Sequence, residues 1–115
     1  MNKGTSTLRC GKDGWGYWHI KQEHLAEWQG LATESDHETW LDVAHVGLTK
    51  TLSDPDTVTY SHIKLTYCLS ASINLYHHGD YVKSRVIQTI IGRDMNIVST
   101  YPAKKNKQCE DESHD

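Results

Sequence analysis

The sequence predicts an α+β domain, with two N-terminal helices packed on one face of an antiparallel sheet of about four strands. Three observations carry that expectation. At 115 residues the chain is one domain, large enough for a real core. Before Pro55, apolar residues recur at the three- and four-residue spacing of a helix. After it, β-branched and aromatic residues alternate with polar ones, and turn residues interrupt them at hairpin spacing. Helices first and strands afterwards give segregated layers rather than alternating βα units.

Residues 1–13 are polar and punctuated by glycine, so they are expected to form a flexible N-terminal arm. From Tyr17, the set Tyr17, Ile20, His24 and Trp28, with Leu25 and Leu31 beside it, marks an amphipathic helix ending near Gly30. The second helix is expected to open at Ser35 or Asp36 as N-cap, with Glu38 in its first turn. It then carries Trp40, Leu41, Ala44, Val46, Leu48 and Leu52 to a stop at Pro55. Strand texture follows in "TVTYSHIKLTYCLSASINLY", "YVKSRVIQTII" and "IVSTYP", separated by "HHGD" and "GRDMN". Residues 103–115, "AKKNKQCEDESHD", have no apolar period and are expected to be a disordered tail.

Composition excludes several classes. No run of about 18 apolar residues exists, and "MNKGTSTLRCGKDG" lacks the apolar stretch of a secretory signal, so no membrane span or stable membrane association is expected. The three cysteines, Cys10, Cys68 and Cys109, form no CxxC pair, which argues against a zinc knuckle or a redox motif. Cys68, in a strand-like apolar run, is expected to be a buried thiol; Cys10 and Cys109 would form a disulfide if the two ends of the chain meet. Net charge is −3, but four acids fall in the last six residues, leaving twelve bases against eleven acids, a net of +1, in residues 1–109. Lys83, Arg85, Arg93, Lys104, Lys105 and Lys107 gather in the last third, where a local basic surface can form.

The stretch "GWGYWHIKQEHLAEW" concentrates rings and histidines. Ile20, His24 and Trp28 are spaced by four, so His24 lies on the stripe that faces the sheet. His19 is rotated from it by about 140°, so the two imidazoles are not expected to share one point, and no metal is expected between them. In "IVSTYP" the alternation of a strand projects Ser99 and Tyr101 from one face and Thr100 from the other. An imidazole, a hydroxyl and a phenol can thereby converge between the first helix and the last strand, a set suited to phosphodiester chemistry. A structural histidine bonded to a nearby carbonyl is the competing reading of His24.

This combination of an "HI…H" helical segment, an α+β body and a closing [ST]-x-Y-P strand resembles the small toxin nucleases of the barnase–EndoU–colicin–RelE superfamily. It is most similar to the C-terminal toxin domains of contact-dependent inhibition and related polymorphic toxin systems, including those with a ribonuclease A-like fold. The resemblance covers residues 14–102, a single toxin nuclease domain. It implies catalytic roles for His24 and His19, the histidines of the H-x4-H segment, and for Ser99 and Tyr101 on the closing strand. Where some relatives place an arginine about eleven residues after the second histidine, this chain has Ser35. Lys21, Arg85 and Arg93 are the candidates for that cationic role, Arg85 within the catalytic set. Lys21 and Arg93, with Trp18 and Thr100, make up the substrate-binding set. Trp15 and Trp18 are rings for base stacking, while Tyr17 is assigned to the core.

The implied activity is a metal-independent endoribonuclease, without cofactor, in which the ribose 2′-OH attacks the adjacent phosphorus and leaves a 2′,3′-cyclic phosphate. A histidine, with its ordinary pKa near 6.5, suits the acid or base task. The resemblance further implies tRNA as the RNA cut, and a cognate immunity protein as partner. The domain would be a monomer or a toxin–immunity heterodimer. It would be delivered at the C-terminus of a larger secreted or cell-surface effector and act in the target-cell cytoplasm. Two other classes stay open: a non-catalytic protein-binding module, and a metal-dependent nuclease using His77, His78 and Asp80 of "HHGD", which otherwise reads as a plain hairpin turn.

Overall fold

A computed structural model describes residues 9, 11, 16–35 and 39–110. Helix α1 spans Gly16–Thr33 and α2 spans Trp40–Ser53; strands β1 (Thr57–Ser61), β2 (Thr66–His77), β3 (Asp80–Gly92) and β4 (Ile97–Pro102) follow, then a short 3-10 turn at Lys104–Asn106. The strands form one antiparallel meander in the order β1-β2-β3-β4, so the expected α+β arrangement of two helices on a four-stranded sheet is the observed one.

The helix boundaries differ from the sequence reading at two points. Gly30 does not end α1; the helix runs on to Thr33 because Leu31 and Ala32 are needed in the core. Ser35 does not cap α2. Its hydroxyl donates back to the Leu31 carbonyl at 2.7 Å, finishing α1, and Thr39 is the N-cap, its hydroxyl accepting from Asp42 N at 3.2 Å. Asp36 and Glu38 lie outside the described residues. Pro55 stands just beyond the Asp54 C-cap, as expected.

Side chains of odd number on β2 and β3 meet the helices. Ile73, Leu75 and Ile87 pack with Ile20, Trp28 and Leu31 of α1 and Val43 and Ala44 of α2, and a second cluster joins Leu69, Ile91 and Ile97 to Leu48 and Leu52. Of the apolar residues set along α2, Leu41 and Val46 do not face the sheet: they are 48% and 39% exposed. The inward stripe holds Val43, Ala44, Gly47 and Thr51. Small residues serve there because α2 lies close to the sheet: a Cβ on Gly47 would stand 3.0 Å from Trp28 and 3.1 Å from Ile87.

Trp28 is fully buried, and its indole Nε1 donates to the Thr100 carbonyl at 3.0 Å, fastening α1 to β4. Beneath the helices runs a chain of threonine hydroxyls. Thr51 Oγ1 donates to Leu48 O at 3.1 Å, so it must accept from Thr89 Oγ1 at 2.6 Å, which in turn accepts from Thr100 Oγ1 at 3.0 Å. Thr89→Val, which keeps the shape, is expected to destabilise the fold by about 1–3 kcal/mol, because it takes the acceptor from the buried Thr100 hydroxyl and the donor from the Thr51 oxygen. Urea denaturation measures this, and a loss below about 0.5 kcal/mol would mean that the chain contributes nothing.

Two expectations about the ends are corrected. Cys68 is not a free thiol: it is bonded to Cys109, with Cα atoms 6.0 Å apart, which removes the Cys10–Cys109 pairing; Cys10 itself lies outside the described residues. The supposed disordered tail is fixed from Ala103 to Glu110, and only residues 111–115 lie outside the described set. After β4 the chain turns back across the sheet face opposite the helices. Asn106 Oδ1 accepts from Val86 N at 2.7 Å, Gln88 Nε2 donates to Lys107 O at 3.0 Å, and the Ser70 hydroxyl accepts from Cys109 N at 2.8 Å. This strap needs no apolar period, because side-chain hydrogen bonds and a covalent bond hold it. Of the expected N-terminal arm only Arg9 and Gly11 are described; Arg9 O accepts from Tyr17 N at 2.9 Å.

Candidate active site

Even-numbered side chains of β2 and β3 point away from the helices, and on β4 the pairing of Tyr101 with Gln88 and of Ser99 with Ile90 puts Ser99 and Tyr101 on that same face. The alternation read from "IVSTYP" is therefore the observed one. Between this face, the exposed flank of α1 and the strap lies a groove of about 610 Å³. Its floor includes Thr59, Thr66, Gln88 and Ile90; His24, Glu27 and Tyr101 form one wall, and Lys104, Lys107 and Gln108 of the strap another. Lys64, from the turn between β1 and β2, also lines it.

The His24 ring lies 4.8 Å from the Tyr101 ring at a tilt of 30°, so helix and closing strand do bring imidazole and phenol together. His24 Nδ1 is 3.2 Å from Glu27 Oε1, one helical turn away. A carboxylate can only accept, so Nδ1 carries the hydrogen and Nε2 of the neutral ring holds the lone pair. The side chain of His24 is 20% exposed, half-buried rather than sealed in the core. The Tyr101 hydroxyl donates to Gln88 Oε1 at 3.0 Å. Burial pushes the Tyr101 phenol above its ordinary range, and the nearby Glu27 carboxylate adds to the effect, so the phenol keeps its proton throughout the neutral range.

His19 was placed apart from His24 by helical rotation, yet the two rings meet edge-on with centroids 5.5 Å apart. Helical side chains slant toward the N-terminus, which tips His24 back over the preceding turn and shortens a gap that backbone rotation alone leaves wide. His19 does not line the groove.

The other proposed residues are not brought to this point. Ser99 shares the face but is 3% exposed, and its buried hydroxyl has no hydrogen-bond partner among the described residues. Thr100 belongs to the buried threonine chain under the helices. Arg85 donates from Nη2 to the Ala103 carbonyl at 3.2 Å and so secures the root of the strap. Arg93 lines a separate hollow with Asp94, Asn96 and Val98 at the turn between β3 and β4. Lys21 lies on the exposed surface of α1, its Nζ 5.6 Å above the ring of Trp18, which is 47% exposed. Tyr17, assigned to the core, packs partly buried against Trp40 at 6.0 Å; Trp15 lies outside the described residues.

Glu27, Lys64 and Gln88 escaped the sequence reading, and Lys104 and Lys107 were seen only as part of a basic region. The signal for Gln88 was available in principle: pairing "IVSTYP" antiparallel with the preceding strand places a polar residue opposite Tyr101. His78 and Gly79 form the two-residue turn joining β2 to β3, both with positive φ (53° and 83°), and His77 and Asp80 are the strand pair that flanks it. They stand nine residues of β2 beyond Cys68, on the order of 30 Å along the strand from the groove. Among the described residues no group of three or more His, Cys, Asp or Glu side chains is placed to hold a metal ion, and no helix is long and apolar enough to cross a membrane. Comparison with protein-family models, curated proteins and solved structures finds no match to this chain.

Proposed function

We propose that this protein is a metal-independent endoribonuclease of the toxin type, working in the groove between α1, the open sheet face and the strap. The observation that supports this reading best is the stacked pair His24–Tyr101 on the wall of a groove lined by three lysines. Glu27 holds the ring of His24 and leaves Nε2 as the basic atom. Nε2 takes the proton of a ribose 2′-OH, the 2′-oxygen bonds to the adjacent phosphorus, and the bond to the 5′-oxygen breaks. The products are a 2′,3′-cyclic phosphate and a 5′-hydroxyl, the latter protonated from solvent, to which the groove is open. Lys64, Lys104 and Lys107 are the cations for the phosphate, in place of Lys21, Arg85 and Arg93. Glu110, 3.9 Å from Lys107, offsets part of that charge. The tRNA substrate, the immunity protein and delivery from a larger effector belong to the same proposal and rest on the family resemblance.

The test is incubation with total RNA in excess EDTA. Cleavage to cyclic-phosphate or 3′-phosphate ends is the expected result, with DNA intact and with resistance at a site carrying a single deoxyribose 5′ of the cut. Chelator-sensitive cleavage would transfer the reading to a metal-dependent nuclease, and an inert protein to a binding module.

A further inference from the structure

Gln88 sits between two groups of unlike kind. One neighbour is the Lys107 carbonyl, which can only accept; the other is the Tyr101 hydroxyl, which can accept or donate. The amide has one donor end and one acceptor end, so the carbonyl decides how it lies: Nε2 must face Lys107 O, at 3.0 Å, and Oε1 must face Tyr101, at 3.0 Å. The proton of Tyr101 is thereby committed to Gln88. What the phenol presents to the groove is oxygen lone pairs.

We infer that Gln88 is a positioning residue that makes Tyr101 a hydrogen-bond acceptor in the groove, so that Tyr101 receives an N–H or O–H donor of the bound nucleotide while the lysines hold the phosphate. This rests on the endoribonuclease reading for its substrate, and it reverses the role that Tyr101 would have as a donor to a phosphorane oxygen. The assignment reaches back to the strap. The carbonyl of Lys107 is held over β3 because the next two residues are anchored to β2: Gln108 Oε1 accepts from the Ser70 hydroxyl at 2.5 Å, and Cys109 is bonded to Cys68. The strap thus sets the amide, and the amide sets the phenol.

The experiment is a double-mutant cycle with Tyr101→Phe and Gln88→Leu, read as kcat/KM on RNA and as melting temperature without RNA. Tyr101→Phe is expected to lower kcat/KM by about 10- to 100-fold. Gln88→Leu, which frees the hydroxyl to turn, should cost about 3- to 10-fold beside Tyr101 but less than about 2-fold beside the phenylalanine. Equal losses in both backgrounds would show that Gln88 acts through the scaffold and would overturn the inference. A second measurement separates acceptor from donor: inorganic phosphate as competitive inhibitor should bind Tyr101→Phe within about 2-fold of wild type and Lys104→Ala several-fold more weakly. A phosphate affinity that falls with Tyr101→Phe assigns the phenol to the phosphate and sinks the proposal. If the wild type leaves RNA intact, the endoribonuclease reading fails by itself. The melting temperatures then test the bond on which the orientation rests: each single variant removes the same bond, so their losses must add to more than the loss of the double variant, and strict additivity rejects the bond and the inference with it.

Discussion

Replacing His24 with alanine is expected to lower RNA cleavage by at least the 10²- to 10⁴-fold that a positioned acid or base contributes, while the melting temperature stays within a few degrees of wild type. The separation of the two effects follows from where the ring lies. Among the described residues it is neither in the apolar cluster around Trp28 nor bonded to a buried backbone group; its neighbours are the Tyr101 ring, the edge of His19 and the Glu27 carboxylate. Glu27→Gln gives a graded companion result, since an amide still reaches Nδ1 but no longer requires the hydrogen to sit there. Single-turnover cleavage with matched thermal melts checks both. A folded His24→Ala protein cutting at the wild-type rate would remove the imidazole from the chemistry.

The largest expected loss of stability comes from opening the disulfide. Cys68 and Cys109 close a loop across a sequence separation of 41, and the chain-entropy relation gives about 4 kcal/mol for a loop of that size. Cys109→Ser should show this loss in urea under non-oxidising and oxidising conditions alike. The wild type should show it only with dithiothreitol present. A loss below about 1 kcal/mol would mean that the strap's hydrogen bonds to Val86, Gln88 and Ser70 hold it unaided.

The elements with strong periods were legible from the residues alone. Four-residue spacing put Ile20, His24 and Trp28 on one side of α1, and two-residue alternation put Ser99 and Tyr101 on one side of β4, which was enough to foresee an imidazole and a phenol meeting. Periodicity does not report depth, however, so the same logic placed Ser99 in a site from which it is buried. It also missed the turn at His62–Leu65 inside an apparently continuous strand run. That turn contains no Gly, Pro, Asn or Asp; it closes through Ser61, whose hydroxyl accepts from Lys64 N at 3.0 Å, and through a positive φ of 56° at Leu65. The strap was illegible for a related reason. Its anchors are single side chains meeting partners about 20 to 40 positions away, and no local pattern records such a pairing. Two of the three lysines that line the groove, Lys104 and Lys107, depend on it, and the third, Lys64, depends on the missed turn, so the cationic part of the site could be counted in the sequence but not located.

The contact between Trp28 and Thr100 also bears on how the sheet avoids other chains. An open sheet ends in two strands whose outward backbone groups can template pairing with a neighbour. At one end, α1 is laid against β4 and the indole gives the Thr100 carbonyl a donor. At the other end, β1 is only five residues long and runs straight into the turn at His62–Leu65. One border is thus shielded by a helix and the other kept short, but the cover is partial: β1 pairs only with Thr66–Ser70 of the 12-residue β2 and β4 only with Ile87–Ile91 of the 13-residue β3, so the outer half of the β2–β3 hairpin carries no further strand among the described residues and is where pairing with another chain would begin.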